Sequence, residues 1–414
     1  MHRPSTPFAF AGPLPPSKSL LIRALLLQLY EPAIQIPVLS ACADVVAMQG
    51  ACRAFAGASR GRTTIDCGEA GLVLRLCLAY AARRGGDFDL CGTPRLLARP
   101  HHVLLRALRL LGTQIDPAAS IDPGRALRVT SRGWHDPAQP IPLSDGESSQ
   151  FASALLLNAW DLPFPLRIDI GPTPVSEGYL DLSIDLARRH GMDVVVQDGG
   201  LLSIPAHQTP KPGVAPHEAD VSSAFAVAAL AAVAGHCRID NFPLASLQPD
   251  AAFVDVLRRM GVPADLDARG LTVHHTPNLQ PVDVDVSGCP DLVPVLAVLC
   301  ALAPGVSRLH GAPHLRGKES DRIATTAGLL RILGRPTQEL PDGLLVAGRP
   351  LSGADSSAPR PFDAGSDHRL VMAAAVALHA GFALDIAGTH AVHKSFPEFL
   401  AIAGLPLSQP PSAP

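Results

Sequence analysis

The sequence predicts an α/β protein in which one supersecondary unit recurs six times, and three observations lead there. Six segments rich in Ala, Leu and Val read as helices that are apolar on every face, each is followed by a second helix that stops at a glycine, and extended stretches separate them. From the start of each apolar helix to its partner glycine, the six units span 37 to 43 residues. The strand-like stretches argue against a purely helical solenoid.

In chain order the apolar helices are SKSLLIRALLL from Ser17, EAGLVLRLCLAY from Glu69, SSQFASALLL from Ser148, VSSAFAVAALAAVAG from Val221, PDLVPVLAVLCALA from Pro290 and DHRLVMAAAVALHA from Asp367. The partner helices end at Gly57, Gly112, Gly191, Gly261, Gly334 and Gly404, where glycine is expected to close the helix in the left-handed conformation. LRVTS, LRIDI, DVVVQ and LLVAG read as strands. Ser222 and Ser223 are expected to cap the fourth apolar helix.

Helices without a polar face belong in a core, presenting only their N-termini. Those N-termini carry Ser17-Lys18-Ser19, Glu69-Ala70-Gly71, Ser148-Ser149-Gln150, Ser222-Ser223, Asp291 and Asp367-His368-Arg369. Capping accounts for the serines and aspartates, but not for Lys18, Gln150, His368 and Arg369 at the same relative place. Helix N-termini add partial positive charge and unpaired N–H donors, so the set suits a multiply charged anion.

With 414 residues and 47% hydrophobic content, the chain is long enough for two domains of roughly 200 residues each. A formal net charge of −3 argues against a broad nucleic-acid footprint, so any cationic site is local. The eight cysteines lack CxxC or metal spacing and are expected to be free thiols of a cytoplasmic protein. The N-terminal MHRPSTPFAFAG shows no signal pattern, and no stretch reaches the ~18 apolar residues of a membrane span. Nucleotide-binding glycine motifs and zinc-type His/Glu spacing are absent, so neither a bound nucleotide nor a catalytic metal is expected.

Only four lysines accompany thirty arginines, and Lys18, Lys318 and Lys394 sit in polar clusters, whereas Lys211 lies in a bland loop. A compact, mobile ammonium does what a planar guanidinium does not. Lys18, Arg23, Arg99, Lys318, Arg322, Arg369 and Lys394 form a cation set spread over the whole chain, with the acids Asp291 and Glu319 among them. Structural salt bridges and general acid-base chemistry are both open for these acids.

The segments PSKSLLIRALLL, GEAGLVLR, GTPRLLARP, SSQFASALLL, VSEGYLDLSIDLARRHG, PDLVPVLA, RGKESDRI, SDHRLVMA and KSFPEF follow one another between Pro15 and Phe399. Together they resemble the 5-enolpyruvylshikimate-3-phosphate synthase family. The resemblance implies a two-domain enolpyruvyltransferase-like fold with three βαβαββ units per domain and the active site between them. Domain A would comprise residues 1–15 plus 219–414, and domain B residues 16–218. The implied substrates are phosphoenolpyruvate and shikimate 3-phosphate, with no cofactor, no nucleic-acid or membrane partner, and a monomeric enzyme.

Carried over by position, the resemblance implies that Lys18, Ser19, Arg23, Ser148, Ser149, Gln150, Ser176, Asp291 and Lys318 bind shikimate 3-phosphate, with Tyr179 alongside. Lys18, Gly71, Arg99, Gln150, Arg322, Arg369 and Lys394 would bind phosphoenolpyruvate, with His368 adjacent. Asp291, Glu319 and Lys18 would be catalytic. Three departures fall on the acceptor side: Glu69 stands where many bacterial members have asparagine, Leu72 replaces a hydroxyl residue and His314 replaces an asparagine. A sister enolpyruvyltransferase acting on another cyclic phosphate or cyclitol is one alternative. A non-catalytic anion-binding repeat protein is another, and the presence of both acids argues against it.

Overall fold

A computed structural model describes residues 6–58, 61–116, 126–143, 148–172, 174, 176–351, 353, 355 and 357–406. The C-terminal LSQPPSAP, read from its prolines as a frayed end, lies outside the described residues. The chain divides into two compact units, one of residues 1–15 and 218–414, the other of residues 16–217.

Within the unit of residues 16–217, strand Arg62–Asp66 runs parallel to Gly86–Cys91, which pairs antiparallel with Leu127–Ser131, itself antiparallel to the short strand Gln114–Ile115. A parallel pair needs a crossover, and helix Gly71–Arg84 supplies it. The same strand order recurs in Ile141–Pro142, Leu166–Asp169, Leu201–Ile204 and Val195–Gln197. A third repeat in the same residues keeps helices Lys18–Leu27 and Ala43–Ala56, and Gln35 forms a parallel bridge with Val214.

The other unit repeats the pattern twice. Phe8–Gly12 pairs in parallel with Gly235–Ile239, followed by Gly270–His274 and Ala264–Asp267. Asp283–Asp285 pairs in parallel with Gly305–His310, followed by Gly343–Gly348 and Thr337–Leu340. A parallel pair of Arg360–Asp363 with Leu384–Ala387 completes the set. Gly235 shows how tightly the strands meet, since a Cβ there would lie 1.8 Å from the Phe8 carbonyl oxygen.

The six apolar helices are Lys18–Leu27, Gly71–Arg84, Gln150–Leu157, Val221–Ala234, Val293–Leu302 and His368–Ala380, and all are mostly buried. In each unit three of them pack on one another and on the sheets; His368–Ala380, for instance, lies against both Val221–Ala234 and Val293–Leu302. Alanine-rich surfaces let these helices approach closely, while Phe225 and Phe253 fill the larger gaps. Truncating a buried phenylalanine of this kind removes about 3–5 kcal/mol of stability.

Two local expectations need correction. Gly57 ends its helix with φ −84°, in the ordinary right-handed region, whereas Gly112, Gly191, Gly261, Gly334 and Gly404 have φ between 64° and 94°. The Ala43–Ala56 helix runs straight into its cap, with the Gly57 N–H donating to the Arg53 carbonyl, so no left-handed residue is needed. The Val221–Ala234 helix is capped by Asp220, which accepts from the Ser223 N–H at 2.8 Å, and not by Ser222 or Ser223. Among the described residues, no helix is long and apolar enough to cross a membrane.

Candidate active site

In the unit of residues 16–217, polar residues gather at and near the N-termini of the apolar helices. Ser17 caps the Lys18–Leu27 helix, leaving Lys18 at its first position with its ammonium 3.0 Å from an Asp44 carboxylate oxygen. One turn on, the buried Arg23 donates to the Ser19 carbonyl, the Tyr179 carbonyl and the Ser183 hydroxyl. Burial brings the Arg23 pKa down to about 10, partly countered by Tyr179. Arg23 therefore ties Ser19 to the helix that follows Ser176, itself buried and left-handed at φ 52°. A non-glycine residue held there is strained backbone of the sort that clusters at ligand-contacting positions.

Gly71 opens the next helix, and the Arg99 guanidinium lies against it: a Cβ at Gly71 would stand 2.8 Å from an Arg99 terminal nitrogen. One turn further, Arg75 donates to the Gln150 side-chain oxygen at 2.6 Å, to the Ser148 hydroxyl at 3.2 Å and to the Pro100 carbonyl at 3.2 Å. Its guanidinium also stacks on Phe151, 4.8 Å from the ring centroid. Ser148 in turn accepts from the Gln150 N–H, and Ser149 is buried beside them. Burial together with Arg75 brings the His101 pKa down to about 3, so His101 is neutral at ordinary pH.

In the other unit, Asp291 lies in the 3-10 turn Pro290–Leu292 that leads into the Val293–Leu302 helix. One of its oxygens accepts from Arg322 at 2.7 Å and the other from Arg369 at 3.0 Å. Arg322 also donates to Glu319 at 3.0 Å and makes a two-point contact with Asp367 at 2.8 and 3.2 Å. Asp367 is fully buried, caps its helix by accepting from the Arg369 N–H and takes a further bond from Ser320. Lys318 and Glu319 follow the 3-10 turn Pro313–Gly317 that holds His314. Lys394, also buried, ends the 3-10 turn Thr389–Lys394 that packs on the helix begun by His368.

Charge dominates this second group. Burial opposes ionisation of Asp291, yet Arg369, Arg322 and Lys318 outweigh it and hold the carboxyl well below the usual carboxylate range. Burial likewise opposes the charge on Arg322, but Asp367, Glu319 and Asp291 raise its pKa further above the normal value. Arg369 is buried as well, and among the described residues its Nε meets no hydrogen-bond partner.

The EPSP synthase (3-phosphoshikimate 1-carboxyvinyltransferase) family model matches residues 34–402. The chain belongs to the EPSP synthase family. A 3-phosphoshikimate 1-carboxyvinyltransferase from Halobacterium salinarum (strain ATCC 29341 / DSM 671 / R1) is 35% identical over 444 residues, covering 98% of this chain and 99% of that protein. One from Syntrophobacter fumaroxidans is 37% identical over 335 residues, covering 80% and 77%. In fold, the chain is similar to an EPSP synthase structure from Acinetobacter baumannii, with TM-score 0.75, 22% identity and 97% of each chain covered. It is also similar to the enolpyruvyl transferase NikO from Streptomyces tendae, with TM-score 0.72 and 15% identity over 97% and 96%.

Within the EPSP synthase frame, three residues had no role in the sequence reading, Arg75, Asp44 and Asp250, and Asp367 had only that of a cap. Arg75 is the hub for Ser148 and Gln150, Asp44 pairs with Lys18, Asp367 anchors Arg322, and the fully buried Asp250 accepts from the Ser222 hydroxyl. Burial, then the neighbouring Asp291, raises the Asp250 pKa to about 6, against the attraction of Arg369. Arg75 had a readable signal, a cation in the middle of the apolar run GLVLRLCLAY. Asp44 and Asp250 had none, because their partners come from distant segments.

Proposed function

We propose that this protein is a 3-phosphoshikimate 1-carboxyvinyltransferase, which moves the enolpyruvyl group of phosphoenolpyruvate to the 5-hydroxyl of shikimate 3-phosphate and releases phosphate. That reaction belongs to the shikimate pathway, on the way to chorismate and the aromatic amino acids. The observation that carries the reading is one buried guanidinium, Arg322, joined to both Asp291 and Glu319, with Arg369 on the other oxygen of Asp291.

The reaction is addition followed by elimination. The acceptor hydroxyl adds to the central carbon of phosphoenolpyruvate as its methylene gains a proton, and then phosphate leaves as the methyl group loses one. Asp291 takes the hydroxyl proton in this reading, and Glu319 exchanges the proton at the methylene. Arg322, Arg369, Lys394, Arg99, Lys18, Gly71 and Gln150 hold phosphoenolpyruvate, while Ser148, Ser149, Gln150, Ser176, Ser19, Arg23 and Lys318 hold the acceptor.

The bonds within the second group suggest how Asp291 becomes basic enough. Arg322 and a terminal nitrogen of Arg369 donate to the protein's own carboxylates. An arriving phosphate or carboxylate draws those donors away, and the Asp291 pKa rises as its cations turn to the substrate. Burial and Lys318 bring the His314 pKa down to about 4, so a neutral imidazole there offers one donor and one acceptor, as an amide side chain does. The departure at position 314 is therefore compatible with the same acceptor.

All eight cysteines are free, which suits the reducing cytoplasm. Phosphate release from phosphoenolpyruvate by purified protein, measured with a chelator present, tests the reading. Release that requires shikimate 3-phosphate and yields an enolpyruvyl ether is expected. Tight phosphoenolpyruvate binding with no release would assign the protein to another acceptor.

A further inference from the structure

A second group of cations lies at the other end of the helices that carry Arg322 and Arg369. Arg335 follows the C-terminus of the Arg322–Ile332 helix, about 16 Å of helical rise from Arg322. Its guanidinium stacks on Phe382, 5.1 Å from the ring centroid, just past the C-terminus of the His368–Ala380 helix. Arg335 is only 3% exposed, yet among the described residues its Nε and one terminal nitrogen have no hydrogen-bond partner.

The backbone brings two more arginines to the same place. The Arg360 N–H donates to the carbonyl of Ala383, the neighbour of Phe382, at 3.1 Å. The Ala347 N–H donates to the carbonyl of Pro336, the neighbour of Arg335, at 2.9 Å, which carries Arg349 to the same edge. Arg360 pairs through one terminal nitrogen with Asp355, but its buried Nε is also without a partner. Burial lowers the Arg335 pKa, and the like charges of Arg349 and Arg360 lower it further.

Leaving several buried guanidinium donors unmade is unfavourable, and stacking on one phenylalanine offsets only part of it. Asp355 neutralises one of the three charges. A planar fork presented by more than one arginine matches the oxygens of a phosphate group. We propose that Arg335, Arg349 and Arg360 form a second anion site that takes a phosphate group, separate from the site that carries Arg322 and Arg369. The ligand is either inorganic phosphate or the phosphate of a small metabolite.

Equilibrium dialysis of the whole chain with radiolabelled inorganic phosphate, repeated with glycerol 3-phosphate, tests this. Two classes of site are expected, with one class lost in Arg335→Gln while kcat/KM stays within about twofold, as for distant independent positions. Arg349 is exposed, so Arg349→Ala is expected to fold normally and to weaken the same class by about tenfold. If Arg335→Gln does not fold, Arg349→Ala decides alone. Tighter binding of glycerol 3-phosphate at this class assigns it to a phosphomonoester, and tighter binding of phosphate to the free ion. A single class of site unchanged by Arg349→Ala would overturn the proposal, whatever the outcome of the turnover assay.

Discussion

Arg322 and Asp291 form a 2.7 Å ion pair in which the guanidinium is buried and the carboxylate keeps one edge towards solvent. The same guanidinium reaches Glu319, so a single planar fork sets the spacing of the two acids. Arg322→Lys keeps the charge but has no fork. It is expected to lower kcat/KM by at least about a hundredfold, with a loss in kcat larger than the rise in the phosphoenolpyruvate KM.

Glu319 is held through Arg322, and its proposed task is proton exchange. Glu319→Gln is expected to bind both substrates with nearly unchanged affinity while kcat falls by about 10²–10⁴. Calorimetric binding and steady-state turnover on the same preparation check this, and normal turnover would remove Glu319 from the mechanism.

Lys18 places a small ammonium against Asp44 at the head of its helix. A guanidinium there is broader and does not fit the same contact, so Lys18→Arg is expected to lose more than about tenfold in kcat/KM although the charge is kept. Kinetics matching the native enzyme would show that any cation serves.

Arg75 is a positioning residue in the proposed site. Arg75→Met keeps much of the packing on Phe151 but releases Ser148 and Gln150. The expected result is a KM for the phosphorylated acceptor raised by about tenfold or more, with a smaller change in kcat. Equal loss of both parameters for both substrates would indicate a fold defect instead.

Asp250 gives the protein a pH-dependent weakness. Its folded pKa of about 6 lies above the roughly 3.9 of an ordinary aspartate, so the folded state holds this proton more tightly than the unfolded chain does. Stability from this group is present below about pH 4, declines as pH rises to about 6 and stays reduced above it, by about 3 kcal/mol. Asp250→Asn is expected to remove that penalty, raising stability at pH 8 and leaving it unchanged at pH 4. Urea melts at the two pH values check the sign.

Much of the fold was legible because the apolar helices have no polar face, and such helices have nowhere to go but a core. SKSLLIRALLL and VSSAFAVAALAAVAG are each buried along most of their length. Of the closing glycines, Gly57 alone departs, because its helix continues into the cap in right-handed geometry. Which acid meets which cation was not legible. The Arg322–Asp367 contact spans 45 positions and the Arg75–Gln150 contact 75, and only tertiary packing sets them. Ser222 read as a cap from its place in the sequence, but the helix begins one residue earlier and Asp220 takes that role.

The first strand, Phe8–Gly12, pairs with Gly235–Ile239, and Leu14 bonds to Asn241 across 227 positions. A ribosome making this chain therefore releases the first strand long before its partner exists. At about 5–20 residues per second the wait is roughly 11 to 45 s, during which residues 16–217 emerge with all of their own contacts available. The nascent N-terminus spends that interval as an unmatched strand. A chaperone that holds extended segments, or a slow-translating stretch before codon 235, would act on yield through this one pairing.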